Sequence, residues 1–317
     1  MGTPATAHTE LGEFLRACRA AVSPAEVGLP TTPGRRVAGL RREEVALLAG
    51  VSADYYTRLE QGRHHTPSDS VVEALANALR LDPAARAHLA DLARPRPTGR
   101  RGTPEVQRVR ASVHRMLDSF VDHPAFVLGR RTDVLAANRL AKALIADFDA
   151  MPVRERNKTR WMILDPRARE IYPDWEQVAA EVVGTLRLDA GRHPDDPRLG
   201  ELVGELAVKS EEFRRWWADH RVVERTHGTK RMESVVGPIT IAYEAMTLPG
   251  DPDQTLFVYT TEPGSTSEQN LRLLASWTAS AVGAGRAGEA SGFPGQPGKP
   301  DVVGGNFAPQ HQVSPDM

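Results

Sequence analysis

Hydrophobic positions fall into helical repeats near the N-terminus and into a mixture of helical and alternating repeats further on. Leu11, Phe14, Leu15, Cys18 and Val22 recur at i, i+3, i+4, i+7 and i+11, which predicts one buried helix face. Cys18 there reads as a small core residue, with a redox sensor as the alternative. A Pro- and Gly-containing stretch, SPAEVGLPTTPGRRVAG, then interrupts. Two short helical patterns follow, LRREEVALLAG and SADYYTRLEQG, joined at Gly50-Val51-Ser52. Pro67 and Ser68 introduce a helix carrying Val71, Val72, Leu75, Ala76 and Leu79. Asp82-Pro83, an N-cap followed by an N1 proline, opens a fifth that runs to about Ala93. Five short helices predict an all-α domain over residues 10–93.

Residues 94–104, RPRPTGRRGTP, hold almost nothing apolar and read as a linker, either a solvated hinge or an Arg-rich strap that also touches phosphate. From 105 to 282 the pattern is mixed. Val106, Val109, Val113, Met116, Leu117 and Phe120 suggest a helix; AFVLGRRTDVLAAN reads as two strands around the Arg130-Arg131-Thr132 turn. A helix is expected from Arg139 to about Phe148, and helical spacing returns at Trp175–Leu186 and Leu199–Leu206. VVGPITIAYEAMTL and QTLFVYTTE predict strands joined by the loop PGDPD, and residues 267–282 a closing helix. Strands surrounded by helices make this second domain α+β. Residues 283–317, rich in Gly, Pro and Ser, cannot bury enough apolar surface to offset ordering and predict a disordered tail. The fold class is therefore multidomain.

Composition changes this picture little. Hydrophobic residues are 40% and charged residues 26% of 317, the balance of a globular chain. Net charge is −1, so nucleic-acid binding is not advertised globally, but seven Arg against one acid lie between Arg94 and Arg115. Only five of the 40 basic residues are Lys. One cysteine excludes an internal disulfide and a multi-cysteine zinc site. No signal peptide is evident and no run approaches the ~18 apolar residues of a spanning helix, so a cytoplasmic protein without membrane contact is expected.

Residues 40–63 meet the demands of a helix-turn-helix. Ala46 and Ala49 allow close crossing of the two helices, Gly50 supplies the turn, Val51 plugs the core and Ser52 caps the second helix. Tyr56 and Leu59 face inward, which leaves Ala53, Asp54, Thr57 and Arg58 outward as candidate base readers. Arg58 suits bidentate contact with guanine and Thr57 offers a methyl to thymine. Asp54 either accepts from a cytosine amine or offsets the helix dipole. Arg41, Arg42, Ser52, Tyr55 and Arg63 are placed to hold phosphates, which fix register without reading sequence.

The run from Arg42 to Gly62 resembles the phage-repressor (XRE) type of helix-turn-helix. Its flank LRREEVALLAGVSADYYTRLEQGRHHTPS resembles the MmyB-like family of actinobacterial transcription regulators. The likeness continues in LDPRAREIYPDWEQVA, GRHPDDPRLGELVGEL, EFRRWWADHRVVERTHGTKR and LPGDPDQTLFVYTTEPGSTSEQNLRLLASW, so it covers roughly residues 10–280. The resemblance implies an N-terminal DNA-binding domain and a PAS-like ligand-binding domain.

For a ligand pocket the candidates are Phe126, Leu128, Trp161, Trp216, Tyr243 and Tyr259, all equally ordinary core types. Asn138 either caps the following helix or anchors a ligand. His220, Glu224 and His227 lack zinc-helix spacing, so no metal is expected. Arg221, Arg225, Lys230 and Arg231 form either a solvated basic face or a seat for an acidic ligand group. Neither a nucleophile elbow, nor a P-loop, nor a dinucleotide fingerprint is present, so neither enzyme activity nor a cofactor is expected. The expected protein is a DNA-binding regulator gated by a small ligand of the lipophilic or fatty-acyl class, a homodimer on a pseudo-palindromic duplex operator. The alternatives are a second domain that only dimerises, or a DNA-tethered enzyme.

Overall fold

The fold was obtained as a computed structural model describing residues 5–30, 35, 37–63, 66–94 and 106–289, with 5–8 and 279–289 as backbone only. Five α-helices build the N-terminal domain: α1 (Ala5–Ala21), α2 (Arg42–Leu48), α3 (Ala53–Glu60), α4 (Asp69–Ala78) and α5 (Pro83–Ala93). Leu11, Phe14 and Leu15 of α1, Val45 and Ala46 of α2, Tyr56 and Leu59 of α3, Leu75 of α4 and Leu89 of α5 close one core. Ser52, Ser68 and Asp82 cap α3, α4 and α5 by accepting the N–H three residues on. Most of the proposed linker, residues 95–104, lies outside the described residues.

The second domain is a five-stranded antiparallel sheet in the order β2-β1-β5-β4-β3, with helices inserted between β2 and β3. Its strands are β1 (Ala125–Leu128), β2 (Val134–Ala137), β3 (His227–Met232), β4 (Ile239–Leu248) and β5 (Asp251–Thr260). Alternation divides its residues between two faces. Val127, Leu256 and Leu248 pack on one side against Val113 and Leu117 of α6 (Ala111–Ser119). Phe126, Phe257, Tyr243 and Tyr259 face the other side. That side is covered by α7 (Arg139–Leu144), α8 (Lys158–Leu164), α9 (Pro166–Ile171), α10 (Trp175–Arg192), α11 (Pro197–Lys209) and α12 (Glu211–Ala218). This is the α+β domain that the pattern predicts and the PAS-like arrangement that the resemblance implies.

Several boundaries differ from expectation. The β4–β5 connection is shorter than PGDPD, because β5 already begins at Asp251. The helix from Arg139 ends at Leu144, and a separate 3-10 turn occupies Phe148–Ala150. The closing helix α13 runs Thr266–Glu289, past the expected end at 282, and the rest of the proposed tail lies outside the described residues. Strand β3 was not anticipated: its inward positions are Gly228, Lys230 and Met232, which carry no apolar alternation.

Candidate nucleic-acid interface and ligand cavities

The helix-turn-helix is built by local signals. Gly50 sits at φ 67°, and the Val51 N–H returns to the Ala46 carbonyl at 3.0 Å, closing α2 before α3 begins. The Ser52 hydroxyl accepts from the Tyr55 N–H at 3.1 Å. Ala53, Asp54 and Arg58 are exposed on α3, and Thr57 and Tyr55 are half-buried beside them. Arg58 is paired with Asp54 one turn earlier at 2.6 Å, so the acid aims the guanidinium outward along the exposed face. Arg41 and Arg63 are exposed at opposite ends of the motif.

Arg42 is placed differently from the other phosphate candidates. Its Nε donates to Glu60 at 2.6 Å, and Arg19 of α1 donates to the other carboxylate oxygen at 2.6 Å. The Glu60 side chain is fully buried. Burial works to raise its carboxyl, but Arg19 and Arg42 hold it below the usual range. This network ties α1, α2 and α3 together and commits Arg42 to the fold. Arg35 likewise locks Glu44, bringing that carboxyl down to about 2.

In the second domain the expected pocket residues separate. Asn138 takes the capping alternative: Oδ1 accepts the N–H groups of Ala125 and Ala141, and Nδ2 donates to the Phe120 and His123 carbonyls. All its capacity is spent on backbone, so it caps α7 and has nothing left for a ligand. Trp216 packs on Trp175 at 5.6 Å and borders neither the apolar cleft at Phe126 nor the larger cavity at Leu128. Phe126 borders a narrow apolar cleft with Val134, Ala137, Ala141, Ile145, Ala146, Phe148 and Lys158. Leu128 borders a larger cavity of about 410 Å³ between α10 and the sheet. Phe126 and Phe257 stack at 5.2 Å between the two spaces. Tyr259 and Tyr243 are buried against that stack, whereas Trp161 is buried against Phe148 and Tyr172.

The surprise is Lys158. Its ammonium is buried, donates to the Tyr172 hydroxyl at 3.2 Å and lies 4.5 Å from the Trp161 ring centre. Among the described residues no carboxylate forms an ion pair with it, and burial, with Arg225 adding to it, pushes the amine well below its ordinary value. Arg225 and Lys230 lie over the Tyr243 ring at 5.3 and 4.9 Å. The expected basic face is thus split: these two turn inward, while Arg231 faces out and pairs with Asp174 at 2.8 Å. Among the described residues no group of three His, Cys, Asp or Glu is placed to hold a metal.

The two domains meet along α10. Thr185, Leu188, Asp189 and Arg192 line the larger cavity, whereas Arg187 and Gly191 face the DNA-binding domain side. A Cβ on Gly191 would stand 2.4 Å from Nδ1 of His88 in α5, so only glycine lets these helices approach. His88 is buried, with the Phe14 ring edge-on at 5.0 Å. Arg187 stacks over Trp217 at 3.9 Å and meets Nδ1 of His220 at 3.2 Å, and His220 faces Glu13 of α1 at 3.9 Å. Arg192 lies 3.8 Å from Asp91 of α5 and 3.6 Å from Glu224. Burial, then the Arg187 and His220 charges, brings His88 down to about 3; burial and Arg187 bring His220 to about 4.

An exposed recognition helix on a five-helix head, joined to a sensor with a cavity in its α+β body, defines a DNA-binding protein with a ligand-binding domain. Family comparison gives the particular kind. Residues 109–274 match the MmyB-like transcription regulator ligand binding domain and residues 10–89 a helix-turn-helix domain. The chain belongs to the MmyB-like transcription regulators. Among curated proteins none matches it. Within the described residues no helix is long and apolar enough to cross a membrane.

Proposed function

We propose that the chain is a sequence-specific regulator, acting in the cytoplasm without catalysis of its own, whose second domain binds a small lipophilic ligand with an acidic head. The observation that carries the ligand class is Lys158, a buried amine with the Tyr172 phenol and the Trp161 ring for company and, among the described residues, no acid. Such a charge is costly unless paired, and a ligand carboxylate supplies the counter-charge. The apolar cleft beside Phe126 and Phe148 holds only about 10 Å³ without a ligand, so the tail enters by parting those side chains. Arg58, oriented by Asp54, reads guanine, with Ala53 and Thr57 against neighbouring bases; Arg41, Arg63 and the Ser52 end of α3 hold phosphate. Two copies reading successive major grooves roughly 34–36 Å apart fit a pseudo-palindromic operator. A ligand changes DNA binding only as far as it prefers one placement of the heads over another.

Genome-wide footprinting, repeated in vitro on the enriched fragment with lipid extract and with a series of fatty carboxylates, tests this. Operator affinity should shift with carboxylates, and Lys158→Met should abolish the shift while leaving unliganded DNA binding intact. An affinity unmoved by every carboxylate and extract overturns the sensor reading alone. Arg58→Ala should relax base preference at one position, whereas Arg41→Ala weakens all DNA alike and flattens the salt slope by about one. Equal loss of preference from both would refute the assignment of base-reading and phosphate-holding roles.

A further inference from the structure

The cavity beside α10 is unlike the apolar cleft around Lys158. Its floor is apolar, from Leu128, Leu188, Ala245 and Phe257, but its walls carry charge of both signs and five threonines. The Arg225 side chain is 92% buried (8% exposed), and among the described residues its Nε has no hydrogen-bond partner and its only ion pair is a long one, 3.9 Å to Glu181. Asp189 on the α10 wall accepts one backbone N–H, from Arg131 at 2.7 Å, and among the described residues has besides it only His193 at 3.7 Å. Burial raises its carboxyl, as expected of an acid short of donors. Arg192 and Glu224 are 3.6 Å apart at the same cavity, and Asp253 is already taken by Arg130 and His193. Among the described residues no ion pair joins Arg225 to Asp189.

Arg225 and Asp189 thus face one space without meeting. A purely anionic ligand would satisfy Arg225 and crowd Asp189; a purely cationic one would do the reverse. A molecule carrying both charges a few bonds apart satisfies both. We infer that this cavity is a second ligand site that takes a zwitterion of the α-amino acid class, its carboxylate toward Arg225 and Arg192, its ammonium toward Asp189. The side chain lies on the Leu128–Phe257 floor. A volume of about 410 Å³ falls within the ~300–1,000 Å³ typical of small-molecule sites. The wall at Thr132 is held in an unusual backbone state, φ 64°, by the Thr159 hydroxyl at 2.7 Å, so it is shaped before any ligand arrives. Arg192 also faces Asp91 of the DNA-binding domain, so an occupant that draws on Arg192 loosens that contact. This site is independent of the lipophilic reading and stands if that one fails.

Titration calorimetry on the full chain tests it, with the twenty free L-amino acids, N-acetyl-L-leucine as the anion and L-leucinamide as the cation. At least one apolar amino acid should bind at millimolar concentration or tighter. For leucine, each blocked form should bind at least tenfold more weakly. Asp189→Asn should remove the discrimination against the acetyl form, and Arg225→Gln that against the amide. Ala245→Leu, which fills the floor and touches neither charge, should abolish binding with melting unchanged, and so guards against misfolding of the charge variants. If none of the twenty binds, or if a blocked form binds as well as the free amino acid, the inference is overturned.

Discussion

In the N-terminal domain the buried carboxylate of Glu60 meets two guanidinium groups, whereas in the sensor the buried amine of Lys158 meets one phenol. Both are charges taken out of water, yet one is closed and the other open. The contrast separates their tasks. A head that must present α3 to DNA in one orientation gains from a fully satisfied polar clasp. A domain that must discriminate between empty and occupied states keeps capacity unspent, at some loss of stability.

The sharpest way to break this contrast is Glu60→Ala. Removing the acid strands Arg19 and Arg42, and breaking such a buried pair costs about 3–5 kcal/mol. Urea unfolding should show it, and a loss below about 1 kcal/mol would place Glu60 among ordinary surface pairs. Gly191→Val comes next. With a Cβ only 2.4 Å from His88, overpacking should cost about 1–3 kcal/mol and separate the melting of the two domains in calorimetry. A single unsplit transition at the original temperature would show that the joint yields.

Lys158→Met should run the other way. Replacing an unpaired buried amine by an apolar chain of similar length is expected to leave stability unchanged or raise it by about 1 kcal/mol. A clear loss would mean that Lys158 is already paid for inside the fold. The remaining test is pH. His88 and His220 titrate near 3 and 4 in the folded chain but near 6.5 when unfolded, so between those values only the unfolded chain holds the proton. Stability should therefore fall as pH drops below about 6.5. Among the described residues the groups facing them are Arg187, Arg192 and Arg16, all unfavourable to a second positive charge, with Glu13 opposing. Urea midpoints at pH 7 and pH 5 should differ, and less so in His88→Gln.

What was legible in the sequence follows the range of the interactions. Gly50, Ser52, Tyr56 and Leu59 act within a few residues of one another, and their pattern places α2 and α3 almost to the residue. Glu60 gave no such signal, because its partner Arg19 is 41 positions away. Lys158 lies in the polar run Asn157-Lys158-Thr159-Arg160, and its burial comes from Tyr172 and Trp161 folding over it. Asn138 was readable both ways until its four backbone partners were in place. The mixed charge of the cavity is drawn from β5, α10 and the segment before β3, and no spacing along the chain brings those together.

The last two turns of α10 present Thr185, Leu188, Asp189 and Arg192 to a cavity on one flank, and Arg187 and Gly191 to the other domain on the other. A helix is stiff over that length, so its two flanks cannot be inherited separately. Grafting this DNA-reading head onto a sibling sensor requires that His88 travel with Gly191 and Arg187. A hybrid that mismatches them would still recognise its operator and be deaf to its signal.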